Sequence, residues 1–437
     1  MQFKEDLRHK VQKLFFNRDT IVSKKELVIL FIISGTAHFL ISLITESPTV
    51  FVTSVSAASQ IVEGKILYLD VTNPPTAGYP AWPPIWPYFL ALIFFLTGPK
   101  LIIAKITITL LTIACGVMVF KLSTSYFSDR GAYYTTILFF INPIILSLSI
   151  GGHFESLALF FLLMAVLCAQ NNHASWSGVA TGLGIMTKLF PAIFIFIVIP
   201  FWFGKRQYKE IFFYLFSCAL ICTLIALPFL IICPNEFFYW ILGFHSERNT
   251  GGISIIYYWL YSTELWTGSL SFLIQILFLI STSLVIFRKS RKDEIDFHSV
   301  LIDWSLLNFL GFMMFTRVLY VRYLAFAIPF MCIQTVNAFH TRACSNSRRI
   351  SVLQQLCSVF IIIGTCLWTI PWVIEDFRPE NMRPPISGIE PYKMLYWIGA
   401  SIIQLSLVIS FLLSFYFIWI MFNKDEKGLK SKVFLDV

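Results

Sequence analysis

The stretch SIGGHFES at 149–156 sets His153 and Glu155 two positions apart at the head of an apolar run. A carboxylate in that place can take up a proton, or simply serve as a cap favoured by a helix macrodipole. Lys188, in GIMTKLFPA, stands between two short apolar segments. A charge there is costly, and it marks either an anionic ligand or a side chain that snorkels to the surface. Arg317 and Arg322 flank VLYV; guanidinium forks fit phosphate oxygens bidentately, and they also anchor at lipid headgroups. Arg248, with His245 and Glu247 in FHSERNTGG, reads either as a loop able to close over a ligand or as a solvated turn. Together these groups are equipped for proton transfer beside a bound anion.

The elements that must position them are helices in a bilayer. Of the 437 residues 57% are hydrophobic and only 13% charged, which excludes a soluble domain of this size. Spans are expected near 27–45, 101–120, 131–150, 156–170, 211–232, 266–287, 299–316, 320–338, 351–370 and 394–422. A pair of shorter helices at 175–187 and 190–203, broken at Lys188 and Pro191, brings the number to about 12. The first 26 residues are polar and no small-residue cleavage site follows them, so the first apolar run reads as an uncleaved span. The net charge of +9 comes from basic residues scattered through connecting loops, an orientation signal and not a nucleic-acid surface.

One segment decides the orientation. AGYPAWPPIWPYFLALIFFLTGPK, at 77–100, has only nine uninterrupted apolar positions, 88–96, against the roughly 20 that a spanning helix needs. If it stays at the outer interface, 23 of the 33 Lys and Arg fall on the cytoplasmic side together with both termini. Trp82, Trp86 and Tyr88 would then sit at headgroup level. The first outer loop becomes about 55 residues long, Glu46 to Lys100, and SVSAASQIVEGK at 54–65 reads as a surface helix stopped at Gly64. The same orientation collects residues 149–156, Lys188, the loop 234–264, the hinge TRVLYVRY and the loop 371–393 on the outer side.

With that layout the chain resembles the GT-C superfamily of multi-spanning glycosyltransferases that use lipid-phosphate sugars. The likeness is greatest to the polyprenyl-phosphate-mannose-dependent mannosyltransferases and the first mannosyltransferase of GPI-anchor assembly. It rests on AASQIVEGKILY and YPAWPPIWPYFLAL in the first outer loop, INPIILSLSIGGHFESLALFFLLMAV, SGVATGLGIMTKLFPAIFIFIVIP and VRYLAFAIPF. The likeness is good over 27–205 and topological beyond. It divides the chain into a cytoplasmic N-terminus (1–26), a GT-C-like module (27–205) with outer loop 46–100, a C-terminal transmembrane module (206–422) and a cytoplasmic tail (423–437).

The resemblance implies an all-α polytopic protein of the cell membrane, or of the endoplasmic reticulum in a eukaryote. It would transfer mannose from a polyprenyl or dolichyl phosphate to a glycan or lipid acceptor among membrane lipids. It implies Glu155 as the catalytic acid residue, Lys188, Arg317, Arg322 and Arg248 as donor-phosphate ligands, and His153, Tyr79 and Trp82 as substrate contacts. The family's usual acid, seven residues ahead of the alanines matching Ala57 and Ala58, falls on Val50. Glu46, about one helical turn upstream, is the displaced candidate, while Asp70 reads as a solvated loop acid. One acid per loop is thin coordination for a divalent cation, so no metal ligand is assigned and the need for such an ion stays open. His38 reads as a hydrogen-bonded core histidine, and the nine cysteines as packing residues. The competing readings are a polysaccharide polymerase or ligase using a diphosphate-linked donor, a lipid or solute transporter, which should show two similar halves, and a catalytically silent relative.

Overall fold

The structure, a computed structural model, describes residues 22–44, 49–69, 82–243, 251–252, 268–316, 318–319 and 321–344, with isolated helical positions between 398 and 409. The expected span 351–370, the loop 371–393 and the tail lie outside the described residues, as does the span 394–422 apart from those isolated positions. The helices are α1 Lys24–Ile44, α2 Thr49–Val62, α3 Ile85–Thr97, α4 Leu101–Ser123, α5 Asp129–Ile141, α6 Pro143–Ile150, α7 Glu155–Gln170 and α8 Ala174–Ile185. A 3-10 turn at Phe190–Phe194 then leads into α9 Ile195–Gly204, followed by α10 Tyr208–Ile232, α11 Pro234–Phe238, α12 Gly268–Arg291, α13 Phe297–Met314 and α14 Ile328–Cys344.

Five of these helices are long and apolar enough to cross a bilayer, or six if α5 and α6 count as one bent span. The expected total of 12 is therefore not reached among the described residues, and the single span expected at 131–150 is corrected. Asn142 and Pro143 break it with a 59° bend: Asn142 caps α6 through its side chain, which accepts from the Ile144 amide, and Pro143 has no amide to continue the helix. The short pair around Lys188 appears as expected, with α8 ending at Ile185 and the chain resuming helically at Phe190. At 13 residues, or about 20 Å, α3 is shorter than the roughly 30 Å hydrocarbon layer. Trp86 is fully buried against Phe154, whereas Tyr88 is partly exposed. The surface helix begins five residues earlier than read and turns at Gly64, whose φ is 89°.

Packing follows from small residues and alternating direction. α8 lies between α7 and α10, α4 contacts α1, α5 and α7, and α9 packs on α12. A Cβ on Gly178 would lie 2.2 Å from the Tyr214 carbonyl oxygen, so GVATG at 178–182 lets α8 and α10 approach closely. The Tyr214 hydroxyl completes that contact on Thr181 at 3.0 Å. Because successive helices reverse direction, the ion pairs Arg130–Glu26 (3.0 Å) and Lys205–Asp293 tie together one end of the bundle. The turn 151–154, the break at 186–189 and the segment 321–326 fall at the opposite end.

Candidate active site

At that opposite end three of the residues singled out in the sequence come together. Glu155, the first residue of α7, is 0% exposed. Its Oε1 accepts a hydrogen bond from Lys188 Nζ and faces Arg322 Nε at 3.1 Å. The two cations arrive from separate elements: Lys188 from the break between α8 and the 3-10 turn, and Arg322 from the 3-10 segment Val321–Phe326 before α14. Lys188 thus neither snorkels to solvent nor lacks a partner, and Glu155 is an ion-paired residue where a cap was the alternative. The second oxygen, Oε2, is buried without a hydrogen-bond partner among the described residues.

The lysine ammonium sits in an aromatic cage. Its Nζ is 3.8 Å from the ring centroid of Tyr323, 5.0 Å from that of Phe154 and 5.7 Å from that of Phe190, within cation–π range. Tyr323 and Phe190 themselves pack at 5.0 Å. These three aromatics were not picked out from the sequence. The available signal was adjacency, since each is next to, or two from, a charged residue already chosen: Phe154 to Glu155, Phe190 to Lys188 and Tyr323 to Arg322.

His153 lies in the turn between α6 and α7 and is buried, its Nδ1 without a partner among the described residues. Burial, reinforced by the Arg322 and Lys188 charges and opposed by Glu155, lowers its pKa to about 3, so the imidazole is neutral near pH 7. The glycines before it are packed against the protein's own side chains. Gly152 has φ 58° and a Cβ there would meet the Phe51 ring at 2.3 Å, while a Cβ on Gly151 would meet the His153 ring itself at 2.4 Å. They let α2 and the histidine close against the turn. Trp82 is half-buried with its ring 6.0 Å from Phe154, and its carbonyl accepts from the Tyr68 hydroxyl.

Glu46, Asp70, Tyr79, His245, Glu247, Arg248 and Arg317 lie outside the described residues. Val50 is the second residue of α2. The backbone of Gly251–Gly252 pairs with Val318–Leu319, which brings the end of the FHSERNTGG loop beside the hinge that carries Arg322. No group of three His, Cys, Asp or Glu side chains able to hold a metal occurs among the described residues. Glu155 itself suits a divalent cation poorly, because two cations already crowd one of its oxygens and would repel a third.

Fold and site define a helical membrane protein with a buried, doubly ion-paired carboxylate at one end of its bundle. The chain belongs to glycosyltransferase family 87, whose model matches residues 72–310. In fold it is similar to ArnT from Cupriavidus metallidurans bound to undecaprenyl phosphate, at 14% identity, with 90% of this chain and 77% of that one covered and a TM-score of 0.50. The apo state of the same protein matches at 15% identity, 89% and 77% coverage and a TM-score of 0.48. No curated protein matches the sequence. The architecture is thus the all-α, multi-pass GT-C type expected, in a membrane glycosyltransferase.

Proposed function

We propose that this chain transfers a sugar, read as mannose, from a polyprenyl-phosphate carrier to a hydroxyl of a lipid or glycan acceptor on the outer face of its membrane. The observation that carries the reading is Glu155: a buried carboxylate with one oxygen held by Lys188 and Arg322 and the other without a partner among the described residues, in a family 87 chain. That ArnT, with which it shares a fold, was crystallised with undecaprenyl phosphate supports a lipid-phosphate donor.

Lys188 and Arg322 hold the donor phosphate, joined by Arg317 and Arg248. Glu155 Oε2 takes the proton from the acceptor hydroxyl as its oxygen bonds to the anomeric carbon. The bond from that carbon to the phosphate oxygen breaks, and the electron pair leaves with the polyprenyl phosphate, whose charge the two cations stabilise. The phosphate and Glu155 compete for the same cations, so donor binding draws charge away from the carboxylate and makes it a better base just when an acceptor can use it. Neutral His153 contributes Nδ1 as a hydrogen-bonding partner for the sugar or acceptor, with Tyr79 and Trp82 as further contacts. Glu46 is the second candidate base.

The test is donor discrimination by the purified protein in membrane lipids. Polyprenyl-phosphate mannose should yield free polyprenyl phosphate and mannose on a membrane lipid or glycan. Turnover of a diphosphate-linked donor alone would favour a polymerase or ligase, and solute movement in sealed vesicles without sugar transfer would favour a transporter.

A further inference from the structure

Behind the site runs a buried hydrogen-bond chain that the transfer chemistry does not use. His38, inside the largely apolar span of α1, is 3% exposed. Its Nε2 is 3.1 Å from the Phe140 carbonyl oxygen and its Nδ1 is 2.8 Å from Ser149 Oγ. Ser149 Oγ lies 3.3 Å from Thr112 Oγ1, which lies 3.2 Å from Ser156 Oγ, and Ser156 adjoins Glu155. The chain therefore links α1, α5, α6, α4 and α7.

Its origin is the bend. In an unbroken helix the Phe140 carbonyl would accept from the amide of Ile144, but that amide is taken by the Asn142 side chain at 2.9 Å. The freed carbonyl is buried in the bundle and needs another donor, which His38 supplies. A carbonyl only accepts, so Nε2 carries the proton, and in the neutral ring Nδ1 is then the acceptor. Ser149 must donate to it. Ser149 has a single proton and so only accepts from Thr112, whose own single proton is shared between Ser149 Oγ and the Ile108 carbonyl at 3.0 Å, while Ser156 donates to Thr112.

Resting on the transferase reading above, we infer that His38 is a positioning residue for Glu155. It bridges the bend, bonding Phe140 in the last turn of α5 and Ser149 in the last turn of the eight-residue α6. α6 runs directly into the turn 151–154 that delivers His153 and Glu155, and the hydroxyl chain continues to Ser156 on the far side of that turn. The rotational setting of Glu155 Oε2 is thereby tied to a side chain on α1 that touches no reacting group.

The experiment pairs hydrogen exchange with kinetics in detergent-purified full-length His38→Ala, Ser149→Ala and His38→Gln. In His38→Ala, amide exchange of 149–156 should speed up and kcat should fall roughly tenfold to a hundredfold with KM unchanged, since a misplacement of about 1 Å costs that much. Ser149→Ala should do likewise. His38→Gln, whose amide supplies both a donor and an acceptor, should restore slow exchange and most of kcat. Unchanged exchange in His38→Ala overturns the inference, and so does a uniform loss of exchange protection and melting temperature that Gln fails to rescue. If the wild type shows no transfer while 149–156 still responds to His38→Ala and recovers in His38→Gln, the positioning of the turn stands and the transferase reading falls.

Discussion

Glu155 gains its character from what surrounds it. A carboxylate removed from water needs compensation on the order of several kcal/mol, and here Lys188 and Arg322 provide it from two separate elements. Removing one partner of such a pair leaves charge uncompensated, so Lys188→Met should lower stability by roughly 3 kcal/mol, moderated because Arg322 remains. Replacing both members, as in Glu155→Leu with Lys188→Met, should recover much of the loss in thermal midpoint while leaving no transfer activity. Recovery of activity with stability would show the pair to be structural. Both residues were legible in the sequence because a charge inside an apolar run is conspicuous; that they pair with each other was not, since 33 positions separate them.

At the scale of elements, a short turn between two helices carries the site. Gly152 adopts φ 58° with the Phe51 ring against its backbone, so Gly152→Ala incurs both left-handed strain of about 1–3 kcal/mol and a clash. Adding Phe51→Leu, which removes ring atoms from the clash while keeping most of the buried volume, should restore part of the melting temperature, though not the strain, and activity should stay low. Full stability in Gly152→Ala would contradict this packing. Sequence patterning located the break at Lys188 and the stop at Gly64, both of which have local causes. It missed the 59° bend because 131–150 is predominantly apolar, and the capping Asn142 and the following Pro143 outweigh that pattern. The burial of Trp86 was likewise not legible, since it follows from the packing of α3 against Phe154.

For the molecule as a whole, the alternation of helices places Glu155, Lys188 and Arg322 at one end and the Arg130–Glu26 and Lys205–Asp293 pairs at the other. The distribution of Lys and Arg predicts that the latter end is cytoplasmic. A cysteine introduced at the exposed Ser125 should therefore resist a membrane-impermeant reagent added to intact cells but react once the membrane is permeabilised, and labelling in intact cells would invert the arrangement. The fold class followed from composition and loop charge because a bilayer admits so few alternatives. The meeting of residues 155, 188 and 322 required tertiary structure, as three distant segments supply them.

The central claim is that Glu155 receives the acceptor's proton. Glu155→Gln keeps the shape and removes the charge, so release of polyprenyl phosphate from a polyprenyl-phosphate-mannose donor by the purified variant tests it most directly. The rate should fall at least about a hundredfold below that of the wild type. A variant releasing polyprenyl phosphate at the full wild-type rate would contradict the account and pass the role to Glu46.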